Sequence, residues 1–328
     1  MTLAAPPELL RVEELTVVYE TARGTVRAVS DVSFQVNRGE VLALVGESGC
    51  GKSTVALAIM RLVPPPGRVA GGRIRLEADD LLDLSDEALV SVRGKRIAMV
   101  FQNPLVSLNP VYRSGSQVKE AIALDQAARL DAWRKAVDIM GQVRIPDAAE
   151  RALSYPHELS GGMRQRVMTG MMISRSPDLL IADEPTTALD VTIQAQVLEL
   201  LLDLRRRNQM SLLIITHNLG VVAEIADRVA VMYAGSIVEQ ADVFDLYERP
   251  LHPYSRLLLR ALPRLGKGEG RLETIPGNVP NLVEAIAGCP FHPRCPQRLP
   301  VCTVTVPKAR SAGPGRQVAC HLVEADRS

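Results

Sequence analysis

Nine residues, Gly46-Glu-Ser-Gly-Cys-Gly-Lys52-Ser53-Thr54, constrain this chain more than any other stretch. They follow Val41–Val45, a run with no polar residue, as expected of a short strand buried on both faces of a parallel sheet. A helix is expected to open near Lys52 and to end at Pro64–Gly67. Glycines at this spacing let successive backbone N–H groups turn inward, and the helix N-terminus adds its dipole. Together they make a cradle for phosphate oxygens. Within it Lys52 can reach the β- and γ-phosphates of a nucleotide, and the Ser53 hydroxyl can ligate Mg²⁺.

The flanking pattern is that of an α/β fold with a mainly parallel sheet. Leu10–Val36 reads as Val- and Thr-rich strands broken at Thr21–Gly24. Ser85, followed by Asp86 and Glu87, reads as a helix N-cap with acids facing the positive end of the dipole. Ile97–Phe101, Leu179–Ala182 and Leu212–Ile215 are further apolar strands, and the stretch 103–174 is mainly helical in pattern. A helix over Val191–Arg207 places Ile193, Val197, Leu200, Leu201 and Leu204 on one face, with Arg205–Arg207 complementing its C-terminal dipole. Trp133 is expected to be a packing residue. After Leu262 the composition shifts: Pro263–Gly270 is a Pro/Gly/charge linker, and a tail rich in Pro, Gly and Cys follows. The expected domains are therefore 1–262, with a helical portion at about 104–175, and 263–328.

Charge and hydropathy narrow the setting. With 38 Lys+Arg against 37 Asp+Glu, the chain is not a nucleic-acid binder that works by bulk electrostatics. No apolar run approaches the roughly 18 residues of a membrane span. The start, Met1–Leu15, lacks the basic and apolar regions of a secretory signal, so a cytosolic location is expected.

Two more motifs bear on chemistry. Leu179-Leu-Ile-Ala-Asp183-Glu184 delivers two acids to the C-terminal edge of a sheet, where ligands of such sheets bind. Asp183 can hold Mg²⁺, and Glu184 is placed to polarise a water for in-line attack on a γ-phosphate. Leu159-Ser-Gly-Gly-Met-Arg-Gln-Arg166 opens a helix whose first N–H groups can again meet phosphate. In order with the phosphate loop and the paired acids, it resembles the signature sequence of ABC-type ATPases.

That resemblance implies a P-loop ATPase core with an antiparallel β portion and a helical portion. It implies ATP contacts at Ser48, Gly49, Cys50, Gly51, Lys52, Ser53 and Thr54, and Mg²⁺ held by Ser53, Gln102 and Asp183. Gln102 matches the Q-loop glutamine, Ala188-Leu189-Asp190 the D-loop and His217 the switch histidine. Tyr19 matches the aromatic that stacks on adenine, although a strand tyrosine equally suits a core or a surface. Family members work as head-to-tail dimers, so Ser160, Gly161, Gly162, Gln165 and Asp190 would meet ATP held by a second ATPase subunit, a copy or a homologue.

Finer text is similar to the ATP-binding subunits of oligopeptide and dipeptide permeases. It includes Phe101-Gln-Asn-Pro-Leu-Val-Ser-Leu-Asn-Pro110, Ile181-Ala-Asp-Glu-Pro-Thr-Thr-Ala-Leu-Asp190, His252-Pro-Tyr254 and Ile275-Pro-Gly-Asn-Val-Pro280. The resemblance implies an importer ATPase at the cytoplasmic face of the membrane. Its partners would be two transmembrane permease subunits and an extracytoplasmic substrate-binding protein, with no nucleic acid. Related ATPases serve nickel, haem or glutathione, and a soluble non-transport ABC ATPase is the rival reading.

Cys50 reads as a small residue of the loop with no redox role. Cys289, Cys295, Cys302 and Cys320 are spaced C-x5-C-x6-C-x17-C, unlike common zinc knuckles or ferredoxins. In relatives this tail is associated with a [4Fe–4S] cluster. The residues themselves leave open that cluster, zinc on the four cysteines or on three with His292 or His321, and plain reduced thiols.

Overall fold

The computed structural model describes residues 7–101, 108–124, 126–186, 190–261, 275–280, 282–283 and 286–323. It divides into two units, one built on Leu84–Ile214 and the other on Glu8–Asp83 with Ile215–Ser328. The boundary expected near residue 263, with its linker, lies outside the described residues.

The second unit begins with a long antiparallel hairpin, β1 (Glu8–Thr21) and β2 (Gly24–Asn37), in register at Val12↔Phe34 and Thr21↔Gly24. Val32, Phe34 and Val36 are buried in the alternation of a half-covered sheet, while register shifts along β1 bury adjacent pairs such as Leu9 with Leu10 and Val17 with Val18. β4 (Gly67–Leu76) lies along β1, and the short β5 (Asp79–Asp80) completes the order β2-β1-β4-β5. β4 had no sequence signal, because Gly67, Gly71 and Gly72 interrupt its alternation.

The second sheet region of this unit carries β3 (Val41–Val45), every residue of it buried. β3 runs parallel to β9 (Arg228–Tyr233), from Leu42↔Arg228 to Val45↔Val231. α1 (Lys52–Ile59) follows the glycine loop. β10 (Ser236–Asp242) is antiparallel to β9, and two tail strands, β12 (Gln317–Val318) and β11 (Arg310–Ser311), extend that edge.

In the other unit, α2 (Asp86–Val92) starts as expected: the Ser85 Oγ accepts from the Ala88 N–H at 3.2 Å. β6 (Ile97–Val100) pairs in parallel with β7 (Leu179–Asp183), and β8 (Ser211–Thr216) lies beyond β7. Between β6 and β7 come the helices α3 (Ser114–Ala123), α4 (Ala132–Gln142), α5 (Ala148–Arg151) and α6 (Gly161–Ile173). α7 (Val191–Asn208) buries Val197, Leu200, Leu201 and Leu204, and Arg205–Arg207 occupy its last turn as the sequence predicts. Its outer face pairs Glu199 and Asp203 with Arg144, at 3.1 and 2.7 Å. Trp133 departs from expectation: it is 38% exposed on α4 rather than packed.

α8 (Leu219–Ile225), α9 (Val243–Glu248) and α10 (Pro253–Arg260) return the chain to the second unit. The cysteine tail is not a lobe of its own. Cys289, Phe291 and Cys302 sit in the same apolar cluster as Val45, Val231, Tyr233 and Tyr254. A tail this short holds too few apolar side chains for an independent core, so it borrows the one beside β9.

Candidate functional site

The glycine loop has the shape of a phosphate cradle. A Cβ on Gly46 would stand 2.2 Å from the Met232 carbonyl oxygen, and one on Gly51, at φ +103°, would stand 2.3 Å from that of Ala28. These close approaches hold the loop against β9 and β2 at positions where no side chain fits. The Gly235 N–H adds a bond to the Cys50 carbonyl at 3.0 Å. Lys52, 5% exposed, folds back into the loop and donates to the carbonyls of Gly46 and Glu47 at 2.9 and 3.0 Å. Its ammonium therefore lies at the loop centre, held by neutral acceptors that an anion can replace. Ser48 and Gly49 are exposed, and so is Ser53 in the first turn of α1. Thr54 is half-buried beside Ser53.

Cys50 is fully buried, with its Sγ 3.8 Å from the Lys52 Nζ. Burial pushes its thiol up from the usual range, against the opposing pull of Lys52. Tyr19, half-buried on β1, lays its ring over the backbone of Gly67, where a Cβ would come within 2.5 Å of the ring.

Glu47 was not singled out by the sequence, yet every polar group of it is engaged. Its N–H donates to the Tyr254 Oη at 3.0 Å, and its carbonyl accepts from Lys52 and from the Cys50 N–H at 3.3 Å. Its carboxylate takes a two-pronged contact from Arg294, Nη1 to Oε2 at 2.7 Å and Nη2 to Oε1 at 3.0 Å. No spacing rule could join these partners, which lie 247 positions apart.

The two acids belong to the other unit. Asp183 ends β7 and is 5% exposed. Glu184 leaves the strand at φ +45°, a left-handed conformation that a side chain rarely adopts. Non-glycine residues held this way concentrate at working sites. Gln102, Ala188 and Leu189 lie outside the described residues. Asp190 is exposed and caps α7, its Oδ1 accepting from the Ile193 N–H at 2.9 Å.

Ser160 caps α6, with its Oγ 3.3 Å from the Met163 N–H, and is exposed with Gly161 and Gly162 half-exposed behind it. Gln165 was expected to meet a partner's nucleotide with Ser160, Gly161 and Gly162, and it differs from them in burial. It is 3% exposed and faces inward, one turn further along a helix whose open end is at Ser160. His217 follows β8 and is exposed, while Asn218 caps α8 through bonds from the N–H groups of Gly220 and Val221.

The tail cysteines are all free thiols. Burial pushes Cys289 up to about 11 and raises Cys295 and Cys320, with smaller contributions from one another and from Cys302. Among the described residues, no group of three or more His, Cys, Asp or Glu side chains is drawn together to hold a metal. The [4Fe–4S] cluster and the zinc site expected here thus gain no support from the described residues. Cys289 and Cys302 are buried in the shared apolar cluster, and Cys295 packs against it. The His292 Nδ1 lies 2.9 Å from the Cys289 carbonyl, and the His321 Nε2 lies 2.9 Å from that of Thr305.

A family model described as ABC transporter matches residues 29–187, and one described as the C-terminal region of oligopeptide/dipeptide transporters matches 238–302. The chain is 49% identical to a probable peptide ABC transporter ATP-binding protein of Sinorhizobium fredii, over 95% of this chain and 94% of that one. It is 46% identical to the dipeptide transport ATP-binding protein DppD of Escherichia coli, over 95% and 96%. It is also 46% identical to the oligopeptide transport ATP-binding protein OppD of Salmonella typhimurium, over 95% and 93%. Two solved structures share the fold. The dimeric post-hydrolysis state of the ATP-binding cassette MJ0796, bound to ADP and Pi, has a TM-score of 0.63 at 22% identity, covering 72% of this chain and 99% of that one. CbiO1 from Clostridium perfringens, part of the transporter complex cbiONQ, has a TM-score of 0.64 at 27% identity, covering 74% and 92%.

Proposed function

The chain belongs to the ABC transporter family, among the ATP-binding subunits of dipeptide and oligopeptide transporters, and from that premise we propose how its residues divide the work. It is the ATP-hydrolysing subunit of a peptide importer. The observation that carries the reading is the loop Gly46–Gly51 closed around the Lys52 ammonium, which offers N–H groups and one cation to phosphate. Ser48 to Thr54 would hold the phosphates of ATP, and Tyr19 its adenine. Ser53, Asp183 and Gln102 are the oxygen donors that would hold Mg²⁺, which would supply positive charge to the phosphates.

Glu184 takes a proton from water as the water oxygen attacks the γ-phosphorus in line. The bond from that phosphorus to the bridging oxygen breaks, and ADP and phosphate leave. His217 steadies the γ-phosphate. Ser160, Gly161 and Gly162 present the exposed start of α6 to ATP held by a second ATPase subunit, with Asp190 beside that interface.

Among the described residues, no helix is long and apolar enough to cross a membrane. Permease subunits would therefore carry the path, with this subunit peripheral on the cytoplasmic face and a binding protein delivering cargo outside. Residues 1–262 form the ATPase domain of this reading and 263–328 its tail. Co-purification with permeases from solubilised membranes supports the transporter; recovery of the chain alone favours the soluble rival. Uptake of labelled peptides, against nickel, haem and glutathione, assigns the cargo.

For the catalytic step, Glu184→Gln should retain ATP binding and lower turnover about a thousandfold. Wild-type hydrolysis by that variant would remove Glu184 from the role of base. The finer reading of the tail, a [4Fe–4S] cluster or zinc on Cys289, Cys295, Cys302 and Cys320, rests on donor chemistry, since four thiolates are what such a cluster takes. Anaerobic purification followed by iron, sulfide and zinc analysis tests it, and four titratable thiols without metal would sink it.

A further inference from the structure

The tail reaches the phosphate loop through one side chain. The Arg294 side chain is 5% exposed, and all five of its N–H donors have acceptors. Nε donates to the Pro276 carbonyl at 2.8 Å. Nη1 serves the Glu47 Oε2 at 2.7 Å and the Tyr233 Oη at 3.4 Å, and Nη2 serves the Glu47 Oε1 at 3.0 Å and the Ile275 carbonyl at 3.4 Å. The guanidinium also lies 5.7 Å from the centre of the Tyr233 ring. The Ile275 and Pro276 carbonyls and the tyrosine thus hold the plane of the fork against Glu47, and a rigid fork gives a carboxylate two aligned bonds.

The segment that carries Arg294 is itself anchored. Phe291 packs on Tyr233 with ring centres 5.1 Å apart and on Tyr254 at 5.4 Å, while the Tyr254 hydroxyl accepts the Glu47 N–H. Glu47 is an anion, 27% exposed, in a loop shaped to receive another anion. Left unpaired, its charge would oppose the incoming phosphates in a setting too buried for full solvent screening.

We propose that Arg294 is a positioning residue for the nucleotide site: it neutralises and orients Glu47, and through Glu47 keeps the loop Gly46–Gly51 in the shape that ATP requires. The inference rests on the ATP-binding reading of that loop. It assigns the tail a direct hand in nucleotide affinity, independent of what the cysteines hold.

Equilibrium binding of a fluorescent ATP analogue to the full chain tests it, with KM and kcat measured in the assembled transporter. Arg294→Ala should weaken ATP about tenfold, equivalent to about 1.4 kcal/mol, and leave kcat at saturating ATP within about twofold. Arg294→Lys keeps a charge but not the fork, and should lose about threefold or more. In a Glu47→Gln background the Arg294→Ala loss should shrink to about twofold or less, since the charge it uncovers is gone.

A purely structural arginine would instead lower the melting temperature and the fraction of titratable sites, and the surviving molecules would bind ATP normally. Unchanged affinity in Arg294→Lys and Arg294→Ala, or an equal loss in both backgrounds, overturns the inference. Lys52→Ala is the control for the underlying reading. If it too binds ATP like wild type, the loop is not the ATP site; if it alone fails, the role of Arg294 is what falls.

Discussion

Replacing Arg316 with methionine should loosen the junction between the tail and β10 by several kcal/mol. The Glu239 carboxylate has no solvent exposure, and the Arg316 side chain is 8% exposed. Glu239 Oε1 accepts from Arg316 Nη2 at 2.9 Å and from the Leu251 N–H at 2.8 Å, and its Oε2 accepts from the His252 N–H at 2.9 Å. Arg316 also donates to the Arg249 carbonyl. At 2.9 Å and an effective dielectric of about 20, the gross attraction of the pair is about 6 kcal/mol. Much of that offsets desolvation, so the expected net loss in Arg316→Met is about 3–5 kcal/mol, the usual result of stranding one buried charge.

The readout is native-state amide exchange across Glu239–Arg256, because Trp133 belongs to the other unit and would not report the event. A loss of that size should speed exchange by about a hundred- to several-thousandfold at Leu251 and His252. Adding Glu239→Gln should recover about 1–3 kcal/mol, because the uncovered anion disappears. A single-variant loss under about 1 kcal/mol, or strict additivity in the double variant, would refute the reasoning.

Other perturbations probe the loop and the capping histidine. Gly51→Ala should fold with a displaced loop and bind ATP at least about tenfold more weakly, since its Cβ would press on the Ala28 oxygen at a left-handed φ. Native ATP affinity in that variant would show that the loop adapts freely. His252 is 1% exposed, and its Nδ1 accepts the Tyr254 N–H at 3.0 Å. Burial, helped by the charge of Arg256, pushes it down to about 3. The unfolded state then binds the extra proton first, so this stability is intact above about pH 6.5. It declines by about 1.4 kcal/mol per pH unit on acidification toward the folded value. His252→Asn keeps a capping acceptor without the titration and should flatten that part of the pH profile; an unchanged slope would point to another group.

The parts read directly from sequence are those whose signal is local. Val41–Val45 has no polar residue and is buried throughout, and the break at Thr21–Gly24 is the turn of the β1/β2 hairpin. Ser85 caps the helix that follows it, as its spacing before Asp86 and Glu87 implies; the cap that Asp190 supplies to α7 had not been read from the sequence. The phosphate loop was legible because its glycine spacing forms a complete motif in sequence, even though Gly46 and Gly51 pack against the distant Met232 and Ala28 carbonyls. Side-chain contacts between distant segments left no such trace. Nothing local in Pro293-Arg294-Cys295 indicates a partner at Glu47, and Gly71-Gly72 concealed β4, whose pairing with β1 tolerates a poor pattern. The inward turn of Gln165 and the outward turn of Trp133 depend on helix packing, which motif order does not encode.

The Glu47–Arg294 contact also has a consequence in time. A ribosome completes the phosphate loop early, then adds 247 more positions before its arginine exists, an interval of about 10–50 s. Through that interval the nascent chain carries the loop with one buried-side anion unanswered. The ATPase motifs all precede the tail in the chain, so the loop reaches its final electrostatic state only when the downstream arginine docks.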